Sequence, residues 1–184
     1  MNVPNIEIEA SPSMKKLLSY VVAILIGFFI AFCIRAFLVE TFVIPTGSME
    51  PTIMVNEKVL GYKTPYLGKN CSSTMPERGD IITFKGRYED KIFIKRVIGL
   101  PGDSINFKSG KVTINGEPYT DYGVGISEPI DPSIQFPYIV PDESVFVLGD
   151  NRENSADSRV MGAIPIYEIT SKVFAKIAIP PVKL

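Results

Sequence analysis

The order of apolar and polar positions divides the chain in two. Leu17 to Ile34 reads LLSYVVAILIGFFIAFCI, 18 residues without a charge. As a helix at ~1.5 Å per residue the run is about 27 Å long, close to the thickness of a bilayer's hydrocarbon core. Arg35 can snorkel to the interface, which extends the predicted transmembrane helix to residues 17–39. A core helix apolar on all sides is rare in so small a chain. A cleaved signal peptide has a shorter apolar core and small residues after it, whereas ETFVIP follows here. Lys15 and Lys16 place the N-terminus in the cytoplasm by the positive-inside rule, and Arg35 partly opposes that bias. Residues 1–16 are then a cytoplasmic tail and 40–184 an extracytoplasmic domain.

After residue 40 the period changes from helical to β-like. Short β-branched or aromatic runs alternate with Gly, Pro and Asp. They predict strands near 41–44, 57–62, 80–85, 91–98, 104–107, 111–114, 145–148 and 171–179. Asn115-Gly116 within KVTINGEPY is a type I′ hairpin signal, and GLPGD at 99–103 is a turn. Residues 120–144 hold several prolines and read as a long surface connection. The class is mainly β, with one N-terminal transmembrane helix and no second soluble domain.

Composition removes several chemistries. The 184 residues suffice for one domain with a core, and a net charge of −1 gives no sign of a nucleic-acid partner. The chain contains no His, which excludes Ser-His-Asp and Cys-His catalysis and His-bearing zinc sites. Cys33 and Cys71 are too few for a zinc ribbon or an iron–sulfur site. One lies in the apolar run and the other in a polar loop, so no disulfide is expected.

Within FVIPTGSMEPT, residues 42–52, Ser48 is a candidate nucleophile that needs a base beside it. Without His, lysines and carboxylates remain. In KIFIKRVIG, 91–99, strand alternation puts Phe93, Lys95 and Val97 on one face and Ile94, Arg96 and Ile98 on the other. Lys95 is thus flanked by apolar side chains, and desolvation there would lower its pKa and free it to accept a proton. Taken alone, it reads more readily as an edge-strand lysine in water. GDNRENSADSR, 149–159, follows the apolar SVFVL and is longer than a plain turn requires. It suggests a local network of hydrogen bonds and ion pairs, or else a solvated loop.

Together these segments resemble bacterial type I signal peptidases, the membrane-bound Ser-Lys proteases. IPTGSMEPT is similar to the nucleophile box, RGDIITF at 78–84 to the next strand, KRVIGLPGD at 95–103 to the lysine box and GDNRENSADSR to the last box. The short 104–144 stretch resembles the compact, Gram-positive-like form. The resemblance implies an antiparallel β-sheet catalytic domain with Ser48 as nucleophile and Lys95 as general base. It implies Thr46 and the Ser48 N–H as oxyanion donors and Ser155 as the hydroxyl orienting Lys95. Asp157 and Arg159 would form a structural ion pair, and Phe42, Ile44, Pro45, Met49, Phe93 and Ile94 would bind substrate. The implied substrates are signal peptides of exported preproteins, cut after small residues of Ala-x-Ala type, with no metal or cofactor. The lipid bilayer is the other implied partner, and Phe37, Leu38, Phe42 and Val43 belong either to a lipid-dipping patch or to the core. A self-cleaving repressor-type regulator shares the chemistry but lacks a membrane span. A non-catalytic membrane-anchored module would not need Ser48, Lys95 and Ser155 together.

Overall fold

A computed structural model of the protein describes residues 12–63, 75–86, 91–120 and 122–177. The chain forms two compact units, 1–38 and 39–184. In the first, α1 (Pro12–Cys33) continues as a π-helical segment, Ile34–Leu38. Ser13–Leu38 is long and apolar enough to cross a membrane, with a mean hydropathy of 2.8 and no buried share. Its large side chains point outward on every side, as Leu25, Phe28 and Phe32 do. A helix without a polar face has no stable place in water, and a core helix would be covered. Cys33 is a free thiol. Cys71 lies outside the described residues.

Among the described residues the second unit is mainly β. β1 (Val39–Val43), β2 (Lys58–Tyr62), β3 (Ile81–Lys85) and β4 (Ile92–Gly99) lead into a hairpin of β5 (Ser104–Lys108) and β6 (Lys111–Ile114). Then come β7 (Glu117–Pro118), β8 (Tyr138–Ile139), β9 (Ser144–Leu148), the single turn α2 (Ser158–Met161), β10 (Ile164–Pro165) and β11 (Ile169–Ile177). Seven strands form one sheet in the order β1-β2-β11-β3-β4-β9-β10, and four form another in the order β7-β6-β5-β8. Every pairing is antiparallel.

β9 reads SVFVL without alternation because both of its faces are covered. Phe146 and Leu148 join a cluster with Ile98, Ile105 and Val112, while Val145 and Val147 join Ile82, Phe84 and Val97. A third cluster gathers Ile44, Met49, Ile53, Val59 and Ile94, with Met49 coming from the turn that carries Ser48. Fully burying one such side chain contributes roughly 1.5–3 kcal/mol. Asn115 and Gly116 both take positive φ (54° and 89°), the type I′ turn their sequence predicts between Ile114 and Glu117. Ser109 and Gly110 do the same between β5 and β6 (52° and 72°), a turn the sequence does not announce.

Three expectations need correction. β7, β8 and β10 have two residues each, too short to show a period. Strand 171–179 begins earlier, at Ile169, because Ile169 fills the core; positions 178 and 179 lie outside the described residues. The 120–144 stretch is not a mere surface connection. Ser127 and Val140 are buried, at 2% and 1% exposed, and Val124 bridges to Asn151. Of the apolar patch, Phe37 and Val43 are exposed, whereas Phe42 packs against the third cluster.

Candidate active site

Ser48 sits in a 3₁₀ turn, Gly47–Met49, entered from an extended Thr46 (φ −132°, ψ 153°). Met49 anchors the turn: its side chain is 1% exposed and packs with Ile44, Ile53 and Ile94. That burial fixes Ser48, which is itself 8% exposed. Lys95 lies on β4, opposite Ile82 of β3 and with β9 on the other flank of the strand. Lys95 is only 3% exposed, with Ser48 against its ammonium. Its Nζ lies 2.8 Å from Ser48 Oγ and donates to the Ile94 carbonyl at 3.0 Å.

Burial lowers the Lys95 pKa from 10.5 to about 8, against the opposing pull of the Asp157 and Asp150 charges. The lysine is therefore not a solvated edge residue. At pH 7 roughly a tenth of such a group is neutral, against roughly 0.03% for an ordinary lysine. The pair therefore combines a hydroxyl with a base that can be unprotonated near neutral pH, within hydrogen-bond reach.

Ser155 behaves differently from its expectation. Its Oγ is buried and makes no hydrogen bond, so it does not contact Lys95 here. Nζ instead directs its bonds to Ser48 and Ile94. Ser155 packs over Gly149, where an added Cβ would collide with Ser155 Oγ and stand 2.6 Å from the Ser48 carbonyl oxygen. Only a glycine allows this close approach. Thr46 is exposed, and its side chain does not cap the turn that follows.

Asp157 and Arg159 do pair. Arg159 Nε donates to Asp157 Oδ1 and Nη2 to Oδ2, both at 2.9 Å, and both residues are buried. Asp157 Oδ2 also accepts from Gly149 N at 3.0 Å, tying the pair to the loop beside Ser48. A second buried pair escaped the sequence reading. Arg96 Nε and Nη2 donate to Asp150 at 2.8 and 2.6 Å, and Arg96 Nη1 donates to the Gly79 carbonyl. The available signal was Arg96 itself, a guanidinium between Ile94 and Ile98 on one strand face, which burial obliges to find an anion. Thr52 also donates to Asp150, and the Tyr122 ring covers Arg96 with its centroid at 4.6 Å.

A groove of about 500 Å³ opens onto Ser48 and Lys95. Its walls are residues 41–46 on one side and 91–95 on the other, and all six expected substrate residues line it. Ile44, Met49 and Ile94 are buried apolar residues of its lining, 3%, 1% and 9% exposed. A second, more open depression of about 590 Å³, lined from 133–139 and 160–162, contains no nucleophile beside a base.

Comparison with known proteins shows the family. The family model described as "Signal peptidase, peptidase S26" matches residues 17–178. A Synechocystis protein named "Probable signal peptidase I-2" is 35% identical over 154 residues, covering 80% of this chain and 66% of that protein. Signal peptidase I of Bacillus licheniformis is 35% identical, covering 83% of each chain. Signal peptidase IB of Staphylococcus aureus is 34% identical, covering 86% of this chain and 88% of that one. The chain therefore belongs to the signal peptidase family, peptidase S26, and is a hydrolase of the signal peptidase I type.

Proposed function

We propose that the protein is a membrane-bound serine endopeptidase that removes N-terminal signal peptides from exported preproteins with a Ser48–Lys95 dyad. The observation that carries this reading is the buried Lys95 Nζ, 2.8 Å from Ser48 Oγ at the end of an apolar groove. Neutral Lys95 takes the Ser48 proton as Oγ attacks the scissile carbonyl. The carbonyl oxygen becomes an oxyanion held by the Thr46 hydroxyl and the Ser48 N–H. Collapse of that intermediate breaks the C–N bond, and Lys95 passes its proton to the leaving amine. Water, deprotonated by the same lysine, then hydrolyses the acyl-enzyme and restores Ser48.

The substrate lies extended between 42–46 and 92–95 and adds its backbone to a strand edge, with side chains entering pockets alternately. Residues 1–16 lie in the cytoplasm, 17–39 span the membrane, and 40–184 work on the extracytoplasmic face, where signal peptides emerge. Detergent-solubilised protein incubated with a preprotein is the test. Cleavage that vanishes in Ser48→Ala supports the reading. Binding without cleavage in the wild type would make the protein a non-catalytic module.

Two consequences concern the groove and the oxyanion. Ile44 and Ile94 leave little room beside the dyad, so a precursor ending in Ala-x-Ala is cut while its Phe-x-Ala and Ala-x-Phe variants are not. Similar kcat/KM for all three would rule these pockets out. Thr46→Val removes a donor and lowers kcat on the order of 10²–10³-fold, while Thr46→Ser keeps most activity. A Thr46→Val enzyme as fast as wild type would leave Thr46 with a packing role only.

A further inference from the structure

The Gly47 carbonyl and the Ser48 N–H belong to a single peptide unit. In a trans peptide these two groups point in opposite directions from a rigid plane. Whatever holds the Gly47 oxygen therefore aims the Ser48 N–H. Two donors hold it: the Glu50 N–H, which closes the 3₁₀ turn at 3.2 Å, and the Asn151 side chain, whose Nδ2 donates to Gly47 O at 3.2 Å from outside the turn. The Asn151 backbone N–H donates to Ser48 O at 3.0 Å, on the following peptide unit. One residue thus grips the peptides on both sides of the nucleophile.

Asn151 is itself held from behind. Val124 N donates to Asp150 O at 2.7 Å, and Arg152 N donates to Val124 O at 3.0 Å, so a strap from the 122–127 segment brackets Asn151. Arg152 Nη1 also donates to Ser127 Oγ at 2.7 Å, and Ser127 is 2% exposed. The strap and the Asp150 pair leave Asn151 little freedom to shift.

We infer that Asn151 is a positioning residue for the oxyanion site: its side-chain amide fixes and polarises the Gly47–Ser48 peptide so that the Ser48 N–H meets the developing oxyanion. The inference rests on Ser48 being the nucleophile. A donor on a peptide oxygen draws electron density toward that oxygen and makes the paired N–H a better donor, the cooperative strengthening seen in hydrogen-bonded chains. Orientation fixed before reaction also removes a reorganisation cost at the transition state. Only an N–H can face the Gly47 oxygen in this way, so aspartate at 151 would keep the shape and reverse the interaction.

The test uses full-length protein in detergent, a peptide substrate and a peptide aldehyde of the same sequence. Ser48 Oγ bonds to the aldehyde carbon, the carbonyl π pair moves onto oxygen, and the Ser48 proton passes to Lys95. The adduct therefore carries the oxyanion that the substrate's ground state lacks. Asn151→Ala is expected to lower kcat about 10- to 100-fold, less than deleting a donor outright, with KM unchanged. Asn151→Asp should lose more. Affinity for the aldehyde should fall in both by the same factor as kcat/KM, and in Asn151→Ala, which adds no charge, the pH of the rate limb should stay where it is in wild type. Wild-type kcat in both variants overturns the inference. So does a loss that appears in KM alone or follows the melting temperature, since a purely structural role would give that. A Ser48→Ala control separates the two levels: cleavage surviving in it would remove the Ser-Lys reading itself, whereas a dead Ser48→Ala beside normal Asn151 variants removes only the role of Asn151.

Discussion

Lys95→Arg, Lys95→Met and Ser48→Ala should each lose kcat/KM on the order of 10⁴-fold or more, because a nucleophile and its base act as a unit. Lys95→Arg is the sharper variant. Guanidinium keeps positive charge at the site but stays protonated and cannot accept the Ser48 proton. Loss of activity is not expected to come from unfolding, and stability shows why. The folded pKa of Lys95, about 8, lies below its ordinary 10.5. Between those values the unfolded chain binds more protons, so stability rises with pH across that window. Below pH 8 the charged lysine carries its full cost, and above pH 10.5 the cost is gone. Lys95→Met should therefore raise stability at pH 7 by up to about 3 kcal/mol, less the lost hydrogen bonds, and lose that advantage as pH rises toward 10.5. Thermal melts at several pH values read this directly. Substantial turnover in Lys95→Arg, or a Lys95→Met protein less stable than wild type at pH 7, would show that the lysine is not a desolvated base.

Arg159→Met should unfold the catalytic unit far more easily, by about 3–5 kcal/mol, against the roughly 5–15 kcal/mol that holds a typical domain together. Asp157 is 0% exposed and would be left with only Gly149 N and the Arg159 backbone N–H as donors. The contrast is the pair Arg78–Asp103, whose side chains are 28% and 11% exposed. There Arg78→Met should cost no more than about 1 kcal/mol. Urea midpoints for the two variants make the comparison. Equal shifts would mean that the Asp157–Arg159 pair is as solvent-screened as the outer one. Because Gly149 N is bonded to Asp157, the loop bearing Asn151 and Ser155 should loosen with it, and activity should fall before the melting transition.

Much of this arrangement could be read from the residues alone, for reasons that differ by element. The 17–34 run has no polar face, and no period other than a span accounts for it. Asn115-Gly116 announces its turn because both positions need positive φ, which that dipeptide tolerates. Lys95 stood out as a charge between apolar neighbours, but its burial involves residues distant in sequence, Ser48 among them, which no local window contains. The same holds for Arg96: its partner Asp150 is 54 residues away. The buried Ser127 was hidden because it is fixed by a main-chain bond to Gly110 and a hydroxyl bond to Arg152, which leave no hydrophobic period. Ser155 matches its motif position yet makes no bond to Lys95, a detail set by side-chain direction rather than sequence.

The most direct measurement is kcat/KM against pH for the detergent-solubilised enzyme on a saturably cleaved precursor peptide. If neutral Lys95 is the base, the rate rises tenfold per pH unit on the acid side and levels off near the lysine's folded pKa of about 8. The limb reports deprotonation of the free enzyme, so it should not move with substrate sequence. A limb that continues to climb toward 10.5, the value of an ordinary lysine, or a profile flat from pH 6 to 10, would contradict a desolvated Lys95 as the group that takes the Ser48 proton.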